Sequence, residues 1–285
     1  MKLKVVPAVR GLGWVRDGVR VCLKQPLGFV SLLGLFFTAA MLLMAVPVVG
    51  ALVVVTAMPA VWMAFMLASR RVLSGRRITP GVLLEPVKAA EARGPWLRLG
   101  ALYALATALV VLLGGVLGPS VGDLSTALGT PDQAEAVLSN PAVQSNLLWR
   151  LALTIPVSLL FWHTPALVHW SRLPIRKALF FSAVASWRNL GAFAMYGIGW
   201  MGLLVVVGVV MQLVLALVPV PALGTMIAVL GGMWVASAFY ASLYFSVVDC
   251  FEPSASPVDE DSPMDTGPDA GSKPGADTSP GPRDD

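Results

Sequence analysis

Six apolar stretches, at about 27–46, 48–68, 99–117, 147–170, 191–218 and 223–248, dominate the chain. A helix needs roughly 20 consecutive apolar residues to cross the hydrocarbon core of a bilayer. Within these stretches the side chains ionisable near neutral pH are Arg150, His163 and His169. A central Arg or Lys costs about 2.5–3.5 kcal/mol on insertion, so this exclusion of charge is what spanning segments require. The sequence therefore predicts an all-α, polytopic bundle of six transmembrane helices. Composition agrees: 56% of the 285 residues are hydrophobic and 13% charged, against roughly 25% charged in soluble domains. An ordinary soluble enzyme and a disordered chain are both excluded. With two cysteines in the chain, so is a small disulfide scaffold.

Basic residues predict the orientation. Lys2, Lys4, Arg10, Arg16, Arg20 and Lys24 precede the first stretch. Arg70, Arg71, Arg76, Arg77, Lys88, Arg93 and Arg98 lie between the second and third, and Arg172, Arg176, Lys177 and Arg188 between the fourth and fifth. The alternate connections carry no Lys or Arg. Under the positive-inside rule both termini are cytoplasmic. The first apolar run is too long for the core of a cleaved signal peptide and is expected to be retained. Cys22 and Cys250 then fall on the reducing side, as small buried or interfacial hydrophobes.

Each basic connection reads as an amphipathic helix leading into a transmembrane hairpin. The first is 11–24, with Leu12, Val15, Val19, Cys22 and Leu23 on one face and Arg16, Asp17, Arg20 and Lys24 on the other. The second is 80–92, with Thr79 as N-cap and Pro80 at the first helical position. The third is 174–187, also opened by a proline. The second and fourth stretches share a Pro-Ala-apolar step, at Pro59 and Pro165, and both leave through Ser-Arg. Three parallel helix-plus-hairpin repeats follow, compatible with pseudo-threefold symmetry about the membrane normal. The cations of these helices either brace the bundle at the interface or bind anionic headgroups, with Arg16, Arg20, Lys24, Arg70, Arg71, Arg76, Arg77, Arg172, Arg176 and Lys177 as the candidate contacts.

Residues 118–146 form a long connection on the opposite side. A capping box at Thr130-Pro131-Asp132-Gln133 predicts a short helix to about Leu138, and Asn140-Pro141 a second one feeding the fourth stretch. The last 34 residues, 252–285, hold 7 Pro, 4 Gly, 5 Ser and 9 acidic residues, a composition that predicts disorder. The formal charge of +4 thus divides into +11 for residues 1–251 and −7 for 252–285. Tail and basic face are expected on one side of the membrane, where the tail can compete with anionic lipid.

Catalytic patterns are absent from the sequence. The stretches hold no carboxylate, and the chain shows no Gly-rich phosphate loop, no metal-spaced Cys/His set and no Ser/His/Asp constellation. His163 and His169 share the fourth stretch but lie about 240° apart around a helix, so they are no metal pair. His169, beside Trp170, fits an aromatic belt; His163 serves either packing or a polar cavity. Ala238, Ser242 and Ser246 form a small-residue row suited to close helix approach, flanked by a mildly polar stripe of Ser237, Tyr240 and Tyr244. The candidate intramembrane polar site is therefore His163, His169, Ser237, Tyr240 and Tyr244. No cofactor and no metal is expected.

Phe161-Trp162-His163-Thr164-Pro165-Ala166-Leu167-Val168-His169-Trp170, with 2–8, Gln25-Pro26-Leu27 and 187–193, resembles an uncharacterised family of multi-pass inner-membrane proteins known mostly from betaproteobacteria. The resemblance covers about residues 1–250 and implies an integral membrane protein with no catalytic residues to carry over. The hairpin-plus-surface-helix pattern is more loosely similar to membrane domains accompanying some glycerophosphodiester phosphodiesterases, whose catalytic barrel this sequence lacks. The expectation is a non-enzymatic protein acting on membrane lipids, anionic headgroups above all, or on a membrane-protein partner or second copy, with no nucleic acid. The alternative is a small transporter or channel with its pathway between the three hairpins.

Overall fold

The computed structural model describes residues 2–116, 140–217 and 220–252. The predicted helix after Thr130 and the acidic tail beyond Glu252 lie outside the described residues. Six helical segments are long and apolar enough to cross a membrane. The helices are α1 (Arg10–Lys24), α2 (Pro26–Met44), α3 (Val49–Leu73), α4 (Ala90–Val116), α5 (Pro141–Phe161), α6 (Thr164–Ser171), α7 (Ile175–Arg188), α8 (Leu190–Leu217) and α9 (Pro221–Cys250). The fourth span is α5 and α6 together. Two-residue strands β1 (Lys2–Leu3) and β2 (Phe251–Glu252) pair antiparallel, so both ends of the described chain meet at one end of the bundle.

The third span begins earlier than its apolar stretch. Pro95 sits in the second turn of α4, so the basic residues Arg93 and Arg98 belong to the same helix as the span. Asn140 also starts α5 as expected, its carbonyl accepting from the Gln144 N–H. Inside α5, Arg150 is accommodated by a local network: its Nε donates to Asn146 Oδ1 (2.7 Å), and Asn146 Nδ2 donates to the Gly114 carbonyl of α4 (2.7 Å).

The second amphipathic helix does not form. Residues 80–92 instead make two 3₁₀ turns, Pro80–Leu83 and Glu85–Val87, before α4 begins. Pro86 is the physical reason: it has no N–H for the Val82 carbonyl and its ring clashes there, so an α-helix started at Pro80 cannot continue. The face buried by α1 is also rotated from the expected one. Gly11, Trp14, Val15, Gly18, Val21 and Cys22 are buried, whereas Leu12 and Leu23 are exposed. Two glycines let α1 lie closer to its neighbours than any larger residue would allow: a Cβ on Gly11 would strike the Ala192 backbone of α8, and one on Gly18 would strike Ser242 of α9.

The lead-in segments pack in a cyclic order. Helix α1 precedes the hairpin α2–α3 but rests on α8 and α9, the third hairpin. The 3₁₀ turns precede α4–α5 and rest on α2, α3 and the start of α4. Helix α7 precedes α8–α9 and rests on α5 and α6. Two side-chain amides fasten this arrangement. Asn189, just before α8, donates from Nδ2 to the Lys4 carbonyl (3.0 Å) and accepts the Val6 N–H on Oδ1 (2.8 Å). Gln25, just before α2, does the same to the Arg76 carbonyl (2.8 Å) and the Ile78 N–H (3.0 Å).

Side-chain burial concentrates where these segments meet. Trp14, Phe29, Phe65, Leu99, Phe161 and Leu167 are fully enclosed there. Toward the other end the helices keep large apolar side chains exposed, Leu105, Leu112, Val205 and Leu217 among them. Lipid is an adequate solvent for such side chains, so nothing drives them inward.

Candidate functional site at the break in the fourth span

Pro165 cannot donate a hydrogen bond to Phe161, and its ring would collide with that carbonyl. The helix accordingly stops at Phe161, bends through Trp162 and His163, and restarts at Thr164. A break in an apolar span frees backbone groups that need partners. Here α7 supplies them. The His163 N–H donates to Ser182 Oγ (3.0 Å), and that hydroxyl donates to the Leu159 carbonyl (3.0 Å). Ser186 donates to the same carbonyl (3.2 Å), and Thr164 Oγ1 donates to the Leu160 carbonyl (2.8 Å).

The His163 ring is completely buried, edge-on to Phe193 and Phe251. Its Nδ1 lies 3.4 Å from Ser186 Oγ. That hydroxyl can accept from a protonated Nδ1 or donate to a bare one, according to the tautomer. Nε2 has no hydrogen-bond partner among the described residues. Trp162 points into α9 instead: its Nε1 donates to Ser246 Oγ (3.0 Å), and its ring packs against Phe193, Tyr196 and Phe239. Tyr196 OH meets Ser242 Oγ at 2.6 Å. The row of Ala238, Ser242 and Ser246 is thus spent on packing within the chain, against Gly18 of α1 and Trp162.

The predicted polar residues are not gathered around one cavity. Ser237 donates to the Phe29 carbonyl (3.3 Å), Tyr240 packs between Phe65 and Phe239, and Tyr244 packs on Trp170. His169 is half-buried at the end of α6 beside Trp96. What joins His163 is a set of serines on α7, Ser182 and Ser186. Their signal was present in the sequence as two hydroxyls four residues apart on one face of a helix that is apolar between Lys177 and Arg188.

A second polar cluster ties the chain ends together. Asp249, near the end of α9, accepts from Arg10 Nε (2.5 Å) and from Trp14 Nε1 (2.7 Å). The hydrogen bond and charge of Asp249 raise the Arg10 pKa further above its ordinary value, against a smaller opposing effect of burial. The Lys4 N–H adds a bond to the Cys250 carbonyl (2.9 Å). Among the described residues no group of three or more His, Cys, Asp or Glu is placed to hold a metal ion.

The chain is 31% identical over 264 residues to a probable inner membrane protein of Burkholderia thailandensis, an alignment covering 90% of this chain and 97% of the relative. It belongs to that family of inner-membrane proteins. No protein-family profile matches the chain, and no solved structure matches it. For an inner-membrane protein the placement of the cations is the remaining question. Arg16 pairs with Asp17 (3.1 Å), and Arg71 with Glu85 (2.6 Å). Arg20, Lys24, Arg70, Arg76, Arg77, Arg172, Arg176 and Lys177 are exposed and make no ion pair among the described residues.

Proposed function

We propose that this inner-membrane protein acts without catalysing a reaction, engaging anionic lipid or a membrane-protein partner through its basic end, with that end and both termini in the cytoplasm. The observation that carries the reading is the set of eight exposed, unpaired cations on the lead-in segments. Each basic side chain near an anionic surface contributes about 1 kcal/mol of attraction, so even half of them acting together would enrich anionic phospholipid. Extraction into native-lipid nanodiscs and lipid mass spectrometry tests this. Anionic phospholipid is expected above its share of the bulk membrane, with the excess lost in an Arg20→Gln/Lys24→Gln/Arg76→Gln/Arg77→Gln variant. A lipid composition equal to the bulk in both proteins refutes the lipid part of the reading and leaves a membrane-protein partner.

A second reading, a small transporter or channel, is favoured by the interrupted fourth span with a buried histidine at the interruption. Intramembrane ionisable groups and broken helices often mark transport pathways. Under this reading His163→Leu gives folded protein without flux in proteoliposomes; under the first it affects stability alone.

A further inference from the structure

Helices α8 and α9 form a hairpin and touch at two places: near their connection, where Leu215 and Met211 of α8 reach Gly224 and Gly231 of α9, and again at Trp200 and Phe239. Trp200 and Phe239 are in edge contact, with ring centroids 5.4 Å apart, and α1 lies beneath them, with Leu12 and Val15 against Gly199. Beyond Trp200 no residue described in α8 is buried. Between these two contacts lies a cleft of about 600 Å³, walled by Leu204, Met211 and Val235 and floored by Trp200 and Phe239.

We propose that this cleft holds an acyl chain of a bilayer phospholipid. Both walls are helices long and apolar enough to cross a membrane, so hydrocarbon rather than water surrounds the opening. Its lining has no charged group, and its one hydroxyl belongs to Tyr240 at the floor. The volume is that of a small-ligand pocket, about 300–1,000 Å³. A helix from a second copy, about 10 Å across with its side chains, exceeds 600 Å³ within two turns of about 5.4 Å each. A flexible chain one methylene wide fills such a space; a helix does not. The inference does not depend on the basic end: it concerns the tail of the lipid, whatever its headgroup.

Glycine positions provide the test. A Cβ on Gly208 or Gly232, both in the lining, would meet nothing within 4 Å. Gly208→Leu and Gly232→Leu therefore start from an open Cβ position on each wall and add bulk to the lining. The full chain is extracted in mild detergent, washed through exhaustive detergent exchange, and its phospholipid quantified by mass spectrometry. About one tightly held phospholipid per chain is expected in the parent protein, falling at least fivefold in either variant at an unchanged thermal midpoint. Equal retention in parent and variants overturns the proposal, as does recovery of free fatty acid without phospholipid. Should the variants fail to fold, the parent protein in vesicles containing a phospholipid with a photoactivatable acyl chain gives a second measurement. Labelling concentrated on 204–211 and 228–236 supports the proposal. Labelling spread evenly over the six spans, or a cross-link between copies through these residues, refutes it.

Discussion

Ser182 stands in the place of the hydrogen bond that His163 would make to Leu159 in an unbroken helix: it accepts from the His163 N–H and donates to the Leu159 carbonyl, each at 3.0 Å. The hydroxyl is thus inserted into the backbone ladder where Pro165 forces it open. Ser182→Ala leaves a buried N–H without a partner, a loss of about 1–3 kcal/mol. Ser186→Ala should cost less, because Ser182 still serves Leu159 and the contact it removes from His163 Nδ1 is a long one of 3.4 Å. Thermal unfolding in detergent checks the order. Equal midpoints for the two variants would mean that the break is satisfied in another way.

Asn189 and Gln25 make the same two-point contact to different lead-in segments but differ in burial. Asn189 is 2% exposed and also donates to the Ala185 carbonyl, whereas Gln25 is partly exposed. Asn189→Ala should destabilise by about 1–3 kcal/mol, and Gln25→Ala by clearly less, since water replaces the lost partners. Asn189→Asp keeps the acceptor for Val6 but turns a carboxylate oxygen toward the Lys4 and Ala185 carbonyls in a buried site, so it should destabilise at least as much as Asn189→Ala. Proteolysis at residues 4–9 reports the release of the N-terminal segment directly.

Close approach of α1 to α8 and α9 is open to a one-atom test. Gly11→Ala places a Cβ against the Ala192 backbone, and Gly18→Ala places one against Ser242. Overpacking of this kind costs about 1–3 kcal/mol. Gly197→Ala, also helical but with nothing within 4 Å of its Cβ, should be neutral or slightly stabilising. Thermal midpoints of the three variants separate steric contact from a general effect of helical glycine.

What was legible in the sequence followed from the solvent. Charge exclusion over about twenty residues located all six spans, because hydrocarbon penalises every charged position in the same way. Asn140-Pro141 marked the start of α5, whereas the break at Pro165 was not distinguished in the sequence from Pro59 and Pro156, which lie inside continuous helices. The lead-in segments were harder to read because amphipathic periodicity records which residues tolerate burial, not which neighbour buries them. On α1 the buried face is set by Gly11 and Gly18, residues with no hydropathy signal, so the expected face was rotated. At 80–92 the expected N-cap, Thr79, was outweighed by Pro86 seven residues later. Pairing of Ser182 with Leu159, and of Asp249 with Arg10 and Trp14, is long-range and leaves no local pattern. The polar stripe of Ser237, Tyr240 and Tyr244 was read as one surface, yet each member finds a different partner.

Burial of Cys22 gives a pH dependence whose sign is fixed. The thiol is fully enclosed on α1, and desolvation pushes its pKa up to about 12 from an ordinary value of 9.0. The folded state therefore holds the proton more tightly than the unfolded chain. The stabilisation from this difference is complete below pH 9 and is lost as the pH rises from 9 toward 12. Cys22→Ala removes the ionisable group, so alkaline unfolding in detergent should move to higher pH in the variant, with the neutral-pH midpoint changed only by the smaller side chain. At pH 7 the same burial should make Cys22 unreactive toward maleimide until the protein is denatured. Rapid labelling of folded protein, mapped to Cys22 by peptide mass spectrometry, would show that α1 leaves α8 and α9 on the timescale of the reaction and that its packing is not the stable state.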